Sequence, residues 1–238
     1  EATTTLKDNQ TVPFIRGIIA ARHGRFREAI KLFSDTLSFD PKHARARLNR
    51  SSAALLCDDL AMALDDATQL VKERPNHELG RLRKSEILMN QGDWENAESE
   101  LRELLSLSHN HSMGLVHLGT CMIAMGRSEQ AEKPLNKAIE ENPKLSEAWY
   151  QRGLLYVDFG RSEKAISDFE AAVRTDPQHL DARLRIAAIL HEGSDVEKAA
   201  TAWRQVLDVD SQNRLARRRL EECREQINTK REALIPKD

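Results

Sequence analysis

Cysteine, proline, glycine and aromatic side chains are all scarce in this 238-residue chain, and each scarcity excludes something. Three cysteines (Cys57, Cys121 and Cys223), odd in number and widely separated, supply no disulfide framework. Set among alanine and leucine, they read as small buried thiols, which implies a reducing, intracellular and cytoplasmic setting. The net charge of −2 lacks the basic excess of a global nucleic-acid or polybasic membrane footprint. No apolar run approaches the roughly 20 residues that cross a bilayer, and the first residues do not read as a secretory signal. Opening on Glu1 rather than methionine suggests an excised or processed form.

Familiar chemical motifs are missing as well. The chain has no glycine-rich phosphate loop, no paired-cysteine metal motif and no nucleophile elbow. His191-Glu192 begins like a zinc-protease helix, but Asp195 stands where the second histidine belongs. Catalytic residues, cofactors and metals are therefore all expected to be none.

What is present is a beat. Pro41, Pro75, Pro143 and Pro177 fall in step every 34 residues, and the two skipped beats land on His109 and Ser211. A period held to the residue means stacked copies of one small unit. Units of 34 then begin at Gln10, Ala44, Glu78, Ser112, Ser146 and Leu180, with a partial unit from Arg214. Each reads as helix, tight turn, helix, short loop.

Gly24, Gly92, Gly126 and Gly160 recur at one offset, with Asp58 and Ser194 in the other two units, where a left-handed residue ends the first helix. Five residues later alanine stands every time: Ala29, Ala63, Ala97, Ala131, Ala165 and Ala199. A small residue at one fixed place predicts helix backbones in close approach. One turn further on come Phe33, Ala67, Leu101, Leu135, Phe169 and Trp203. In the first helices, Gly17, Ser51, Ser85, Gly119, Gly153 and Ala187 are small for the same reason. Ser194 and Glu197 suggest a capping box on the sixth unit's second helix. Pro134 is expected to bend the fourth unit's second helix.

These residues resemble the tetratricopeptide repeat (TPR) signature. The fifth unit, with Trp149, Gly153, Tyr156, Ala165, Phe169, Ala172 and Pro177, matches it best. The resemblance covers about Gln10 to Asn213 and implies an all-α, right-handed α-solenoid of stacked helix-turn-helix units with a C-terminal capping helix. The expected organisation is a flexible segment over 1–9, six units (10–43, 44–77, 78–111, 112–145, 146–179, 180–213) and a cap and tail over 214–238. In that cap, Ala216, Leu220, Cys223 and Ile227 form an apolar stripe opposite Arg217, Arg218, Arg224 and Glu225.

His43, His77, His111 and His179 all close a unit. Successive units stand roughly one helix-packing distance apart, about 10 Å, whereas zinc ligands sit about 2 Å from the metal. The four therefore read as polar loop residues.

The resemblance implies a non-catalytic scaffold or adaptor that takes a partner peptide or helix in a concave groove lined by the first helices. Read at helical spacing, the lining would be Arg45, Asn49 and Ser52, then Leu79, Arg83 and Glu86, then Met113, His117 and Thr120. Glu147, Gln151 and Leu154, then Asp181, Arg185 and Ala188, would follow. Arg45 and Arg83 favour a ligand with an acidic stretch, and Asn49 can hold a backbone amide. Asn49 to Ala54 also resembles the TPR domains that clamp the C-terminal tails of Hsp70 and Hsp90, which implies a co-chaperone as the alternative. Asn49 and Arg83 match that clamp, but Phe14, Ile18 and Leu79 replace its lysine, asparagine and second lysine. A regulatory arm of a larger enzyme is a further alternative. Phe14, Ile15, Ile18 and Ile19 together would also permit self-association.

Overall fold

The structure, a computed structural model, describes the backbone of residues 2–233 and the side chains of residues 11–229. Among the described residues there are thirteen helices and no strand. They are α1 (Ala2–Arg22), α2 (Phe26–Phe39), α3 (Ala44–Leu56), α4 (Leu60–Glu73), α5 (Glu78–Asn90), α6 (Trp94–Leu107) and α7 (Ser112–Ala124). Then follow α8 (Ser128–Glu141), α9 (Ser146–Asp158), α10 (Ser162–Thr175), α11 (Leu180–Glu192), α12 (Val196–Val209) and α13 (Arg214–Ala233). The helices fall into two compact units, Glu1–Gly126 and Arg127–Asp238.

In the first unit each helix packs on the next, and α1, α3, α5 and α7 also touch in succession as a continuous row. In the second unit, α8 to α13 likewise pack each on its successor. The backbone of residues 2–9, expected as a loose segment, continues α1; nothing before Pro13 in that stretch breaks a helix. Pro13 lies inside α1 and Pro134 inside α8, where each removes one backbone donor. Both helices nevertheless run on as single elements.

Close packing explains the small residues. All six repeat alanines are at most 1% exposed, and the six side chains one turn later at most 2%. A Cβ on Gly17 would lie 2.6 Å from Phe33 Cε1, and one on Gly153 would lie 2.6 Å from Phe169 Cε1. Glycine is thus required where a phenylalanine faces it. The second repeat uses Ser51 with Ala67, and Ser51 Oγ–H donates to the Ala63 carbonyl at 2.7 Å. The turn positions Gly24, Gly92, Gly126, Gly160 and Asp58 all have positive φ. The sixth repeat departs at Gly193, which is extended, yet α12 keeps its cap at the offset that Asp59 and Asp93 hold in earlier repeats: the Asp195 carboxylate accepts from the Lys198 N–H at 3.0 Å. The expected cap Ser194 is thus not the N-cap, and with Lys198 three residues after Asp195 the helix start has no capping box.

The unit-closing histidines are N-caps. Nδ1 of His43, His77, His111 and His179 accepts from the backbone N–H of Ala46, Gly80, Gly114 and Ala182, at 3.0 to 3.3 Å. Asn213 does the same for α13, accepting from Ala216 at 3.0 Å. A brace recurs six residues beyond each proline beat. Arg81, Trp149 and Arg183 donate to the carbonyls of Pro75, Pro143 and Pro177. Arg47 donates to the Pro41 carbonyl, and Arg217 to that of Ser211.

A second brace ties the two helices of a repeat. Arg50 grips Asp66 with two bonds at 2.8 and 2.7 Å, and Arg152 grips Asp168 at 2.7 and 2.8 Å. Lys84 meets Glu100 at 2.6 Å. Asp66 is fully buried and Asp168 nearly so. The hydrogen bonds to these carboxylates hold both guanidinium groups above their ordinary pKa, against the opposing cost of burial. Each arginine also reaches the preceding second helix: Arg50 Nη1 donates to Ser34 Oγ at 2.9 Å, and Arg152 Nη1 to Asn136 Oδ1 at 2.8 Å.

At the far end, Ala216, Leu220 and Cys223 of α13 are buried against Trp203 and Val206, while Arg217, Arg218, Arg224 and Glu225 are exposed. The Trp203 Nε1–H donates to His191 Nδ1 at 3.3 Å. None of the three cysteines is in a disulfide; Cys121 and Cys223 are buried and Cys57 half-buried.

Candidate partner-binding surface

The row of first helices in the first unit places Asn49 on α3, Arg83 on α5 and His117 on α7 at one repeat position. All three are half-buried. Neighbouring repeats stand about 10 Å apart, and an extended chain advances about 3.3 Å per residue. A ligand strand would therefore meet one of these side chains about every third residue.

Their hydrogen-bonding capacity is unequally committed. Arg83 Nη1 pairs with Glu86 at 2.6 Å, yet its Nε is buried with no partner among the described residues. His117 Nδ1 is buried and unpartnered too. Burial, then the nearby His111 and Arg83 charges, lower the His117 pKa to about 4, so its ring is neutral at pH 7. Burial also raises Glu86 above the usual carboxylate value, only partly offset by Arg83. Ser52 and Thr120 hydroxyls donate to their own helices, at the carbonyls of Leu48 and Val116. Arg45 is exposed.

Beside Asn49 lies a recess of about 350 Å³, walled by Ile18, Ala21, Phe26, Phe33, Ala53 and Leu56, with Arg22, Asn49 and Ser52 as its polar members. Phe14 packs against Phe33 and His43, with ring centroids 6.0 and 4.7 Å apart. Two positions that carry polar side chains in the chaperone clamp thus face apolar packing here, as Phe14 and Ile18. Leu79 is 55% exposed.

In the second unit, Gln151 Nε2 donates to Glu147 at 2.7 Å, and Arg185 is exposed. Among the described residues no group of three or more His, Cys, Asp or Glu side chains could hold a metal ion. No helix among them is long and apolar enough to cross a membrane. The N-capping histidines and the two braces escaped the sequence reading. The 34-residue spacing of Arg47, Arg81, Arg183 and Arg217 is the signal that marks the first brace.

The family model described as tetratricopeptide repeat matches residues 16–78 and 150–214, more than half of the chain. A second, the middle TPR-like domain of cilia and flagella-associated protein 70, matches residues 85–167. Among solved structures, a thermophilic TPR protein of Thermus thermophilus is 23% identical with a TM-score of 0.66, covering 76% of this chain and 98% of that one. A tetratricopeptide repeat protein of Parabacteroides merdae is 19% identical with a TM-score of 0.74, covering 90% and 84%. YrrB, a TPR protein with an unusual peptide-binding site, is 20% identical with a TM-score of 0.54, covering 77% and 95%. No curated protein matches the chain. The 34-residue hairpins, their buried alanines and the family match agree: the chain belongs to the tetratricopeptide repeat family.

Proposed function

We infer that the chain is a protein-interaction scaffold whose first unit binds an extended partner peptide along Asn49, Arg83 and His117. The observation that carries this reading is the pair of buried, unpartnered nitrogens, Arg83 Nε and His117 Nδ1. Buried polar atoms without partners are costly, and a ligand that supplies those partners regains the cost. Arg83 Nε can only donate, so it suits a carboxylate or carbonyl oxygen. An apolar ligand side chain fits the recess beside Asn49. Arg45 adds a second cation on α3, which favours an acidic stretch in the ligand. Gln151 and Arg185 offer similar chemistry in the second unit.

The test is selection of random-sequence peptides against the wild-type chain, followed by titration of the recovered peptides against the Asn49→Ala, Arg83→Ala double variant. Peptides combining an acidic and an apolar residue, with affinity lowered about tenfold or more by the double substitution, are expected. Peptides that bind both proteins equally would place the binding elsewhere.

A further inference from the structure

A second surface follows from comparing α1 with its own repeats. The positions of Val12, Arg16 and Ile19 recur at 34-residue intervals in α3, α5, α7, α9, α11 and α13. The Val12 position is filled there by Ala46, Gly80, Gly114, Ala148, Ala182 and Ala216, all buried. The Ile19 position is filled by Ala53, Ile87, Cys121, Leu155 and Cys223, each at most 2% exposed, and by half-buried Ile189. Where a second helix precedes them within a unit, it packs against these first helices, as α2 does on α3 and α10 on α11. In α1 the same face is open: Val12 is 50% and Ile19 46% exposed, and Arg16 is exposed.

Charge singles out Arg16. In the repeats that follow, the residue at its position matches a residue sixteen further along. Arg50 goes with Asp66, Lys84 with Glu100 and Arg152 with Asp168, while apolar Leu118 goes with Pro134 and Ile186 with Ala202. Arg16 alone breaks the match, because Leu32 stands where its acid should be. Among the described residues Arg16 has no ion-pair partner. Arg50 and Arg152 also reach a polar side chain on the preceding second helix, so an acid there would complete Arg16.

Val12 adds a steric condition. Gly80 and Gly114 are small because Leu70 and Leu104 of the preceding helix press on them, 3.1 and 3.0 Å from where a Cβ would lie. A helix carrying leucine at that place would collide with Val12, whereas one carrying alanine would fit.

We propose that this face of α1 docks an amphipathic helix of a partner protein, which sets an alanine or glycine against Val12 and a carboxylate beside Arg16. The surface is separate from the peptide row, which uses Asn49, Arg83 and His117. The occupant has a template within the chain. α10 seats Phe169 and Ala172 in one cluster with Ala182, Ile186 and Ile189, the counterparts of Val12, Arg16 and Ile19. Its Glu170 lines a recess together with Ile186.

The probe is a stapled helical peptide with the α10 sequence, titrated by fluorescence anisotropy against the full chain, with the α4 sequence (Leu70 and Thr68 at the matching places) as control. The α10 peptide is expected to bind about tenfold or more tighter than the α4 peptide. Ile19→Asp on the chain should weaken it about tenfold, since a carboxylate would replace the apolar contact and compete for Arg16. Arg16→Ala, or glutamine for Glu170 in the peptide, should weaken it about threefold. Circular dichroism checks that the Ile19→Asp fold is intact, as expected for a half-exposed site. Equal affinity for the two peptides, or binding indifferent to Ile19→Asp, overturns the proposal. So does sedimentation showing a dimer that Ile19→Asp dissolves, because a second copy would then own the face.

Discussion

At the residue scale, the fold depends on contacts too close to absorb an added methyl. Gly153 faces Phe169, which is fully buried and has no room to withdraw. Gly153→Ala should cost about 2 kcal/mol in urea unfolding, and Phe169→Leu introduced beside it should recover part of that loss. His117 makes a separate prediction. Its native pKa of about 4 lies below the ordinary 6.5, so the native state holds fewer protons than the unfolded chain between those values. The resulting stability is fully present above pH 6.5 and is lost as pH falls toward 4, by about 3 kcal/mol at most. His117→Gln should flatten that part of the stability-versus-pH curve, measured as urea midpoints at stepped pH.

At the element scale, helix positions were legible in the sequence because they depend on local chemistry that repeats. Proline after four of the six second helices, a left-handed residue after most first helices and alanine at the crossing all register within a 34-residue window. The sixth repeat shows a signal left unused: Asp59, Asp93 and Asp195 share one offset of the 34-residue period, and that offset, not Ser194, marks the cap of α12. The histidine caps were invisible for a different reason. Histidine is not a favoured cap residue, and only the backbone geometry at the unit junction brings Nδ1 to the third N–H. The Arg50–Asp66 grip joins residues sixteen apart on two helices, so it emerges only once they pack. It should be strongly coupled. Asp66→Ala leaves a mostly buried guanidinium unpaired and should cost about 3 kcal/mol. Arg50→Leu with Asp66→Ala, which copies the apolar pairing of Ile186 and Ala202, should restore most of it in the same unfolding assay. Among the surface residues, Asn49, Arg83 and His117 lie on the first helices α3, α5 and α7. Which of their atoms lack partners required coordinates.

At the scale of the whole molecule, each of the two units rests on contacts between successive helices rather than on one central core. α13 is the last of these neighbours, covering Trp203 and Val206 with Ala216, Leu220 and Cys223. Ending the chain at Asn213 should expose that cluster and cost at least about 2 kcal/mol. With Trp94 and Trp149 replaced by phenylalanine, the Trp203 emission should shift to the red in the shortened chain. Unchanged emission would mean that α13 does not shield the indole.

Because the hairpins resemble one another, a folding chain can pair a first helix with the wrong second helix. The charge match across each hairpin penalises part of that confusion. Docking α3 onto α12 would set Arg50 beside Ala202 and strand its guanidinium away from water, whereas the correct mate offers Asp66. The unequal pairings thus act as a proofreading code, telling look-alike segments apart before the stack closes.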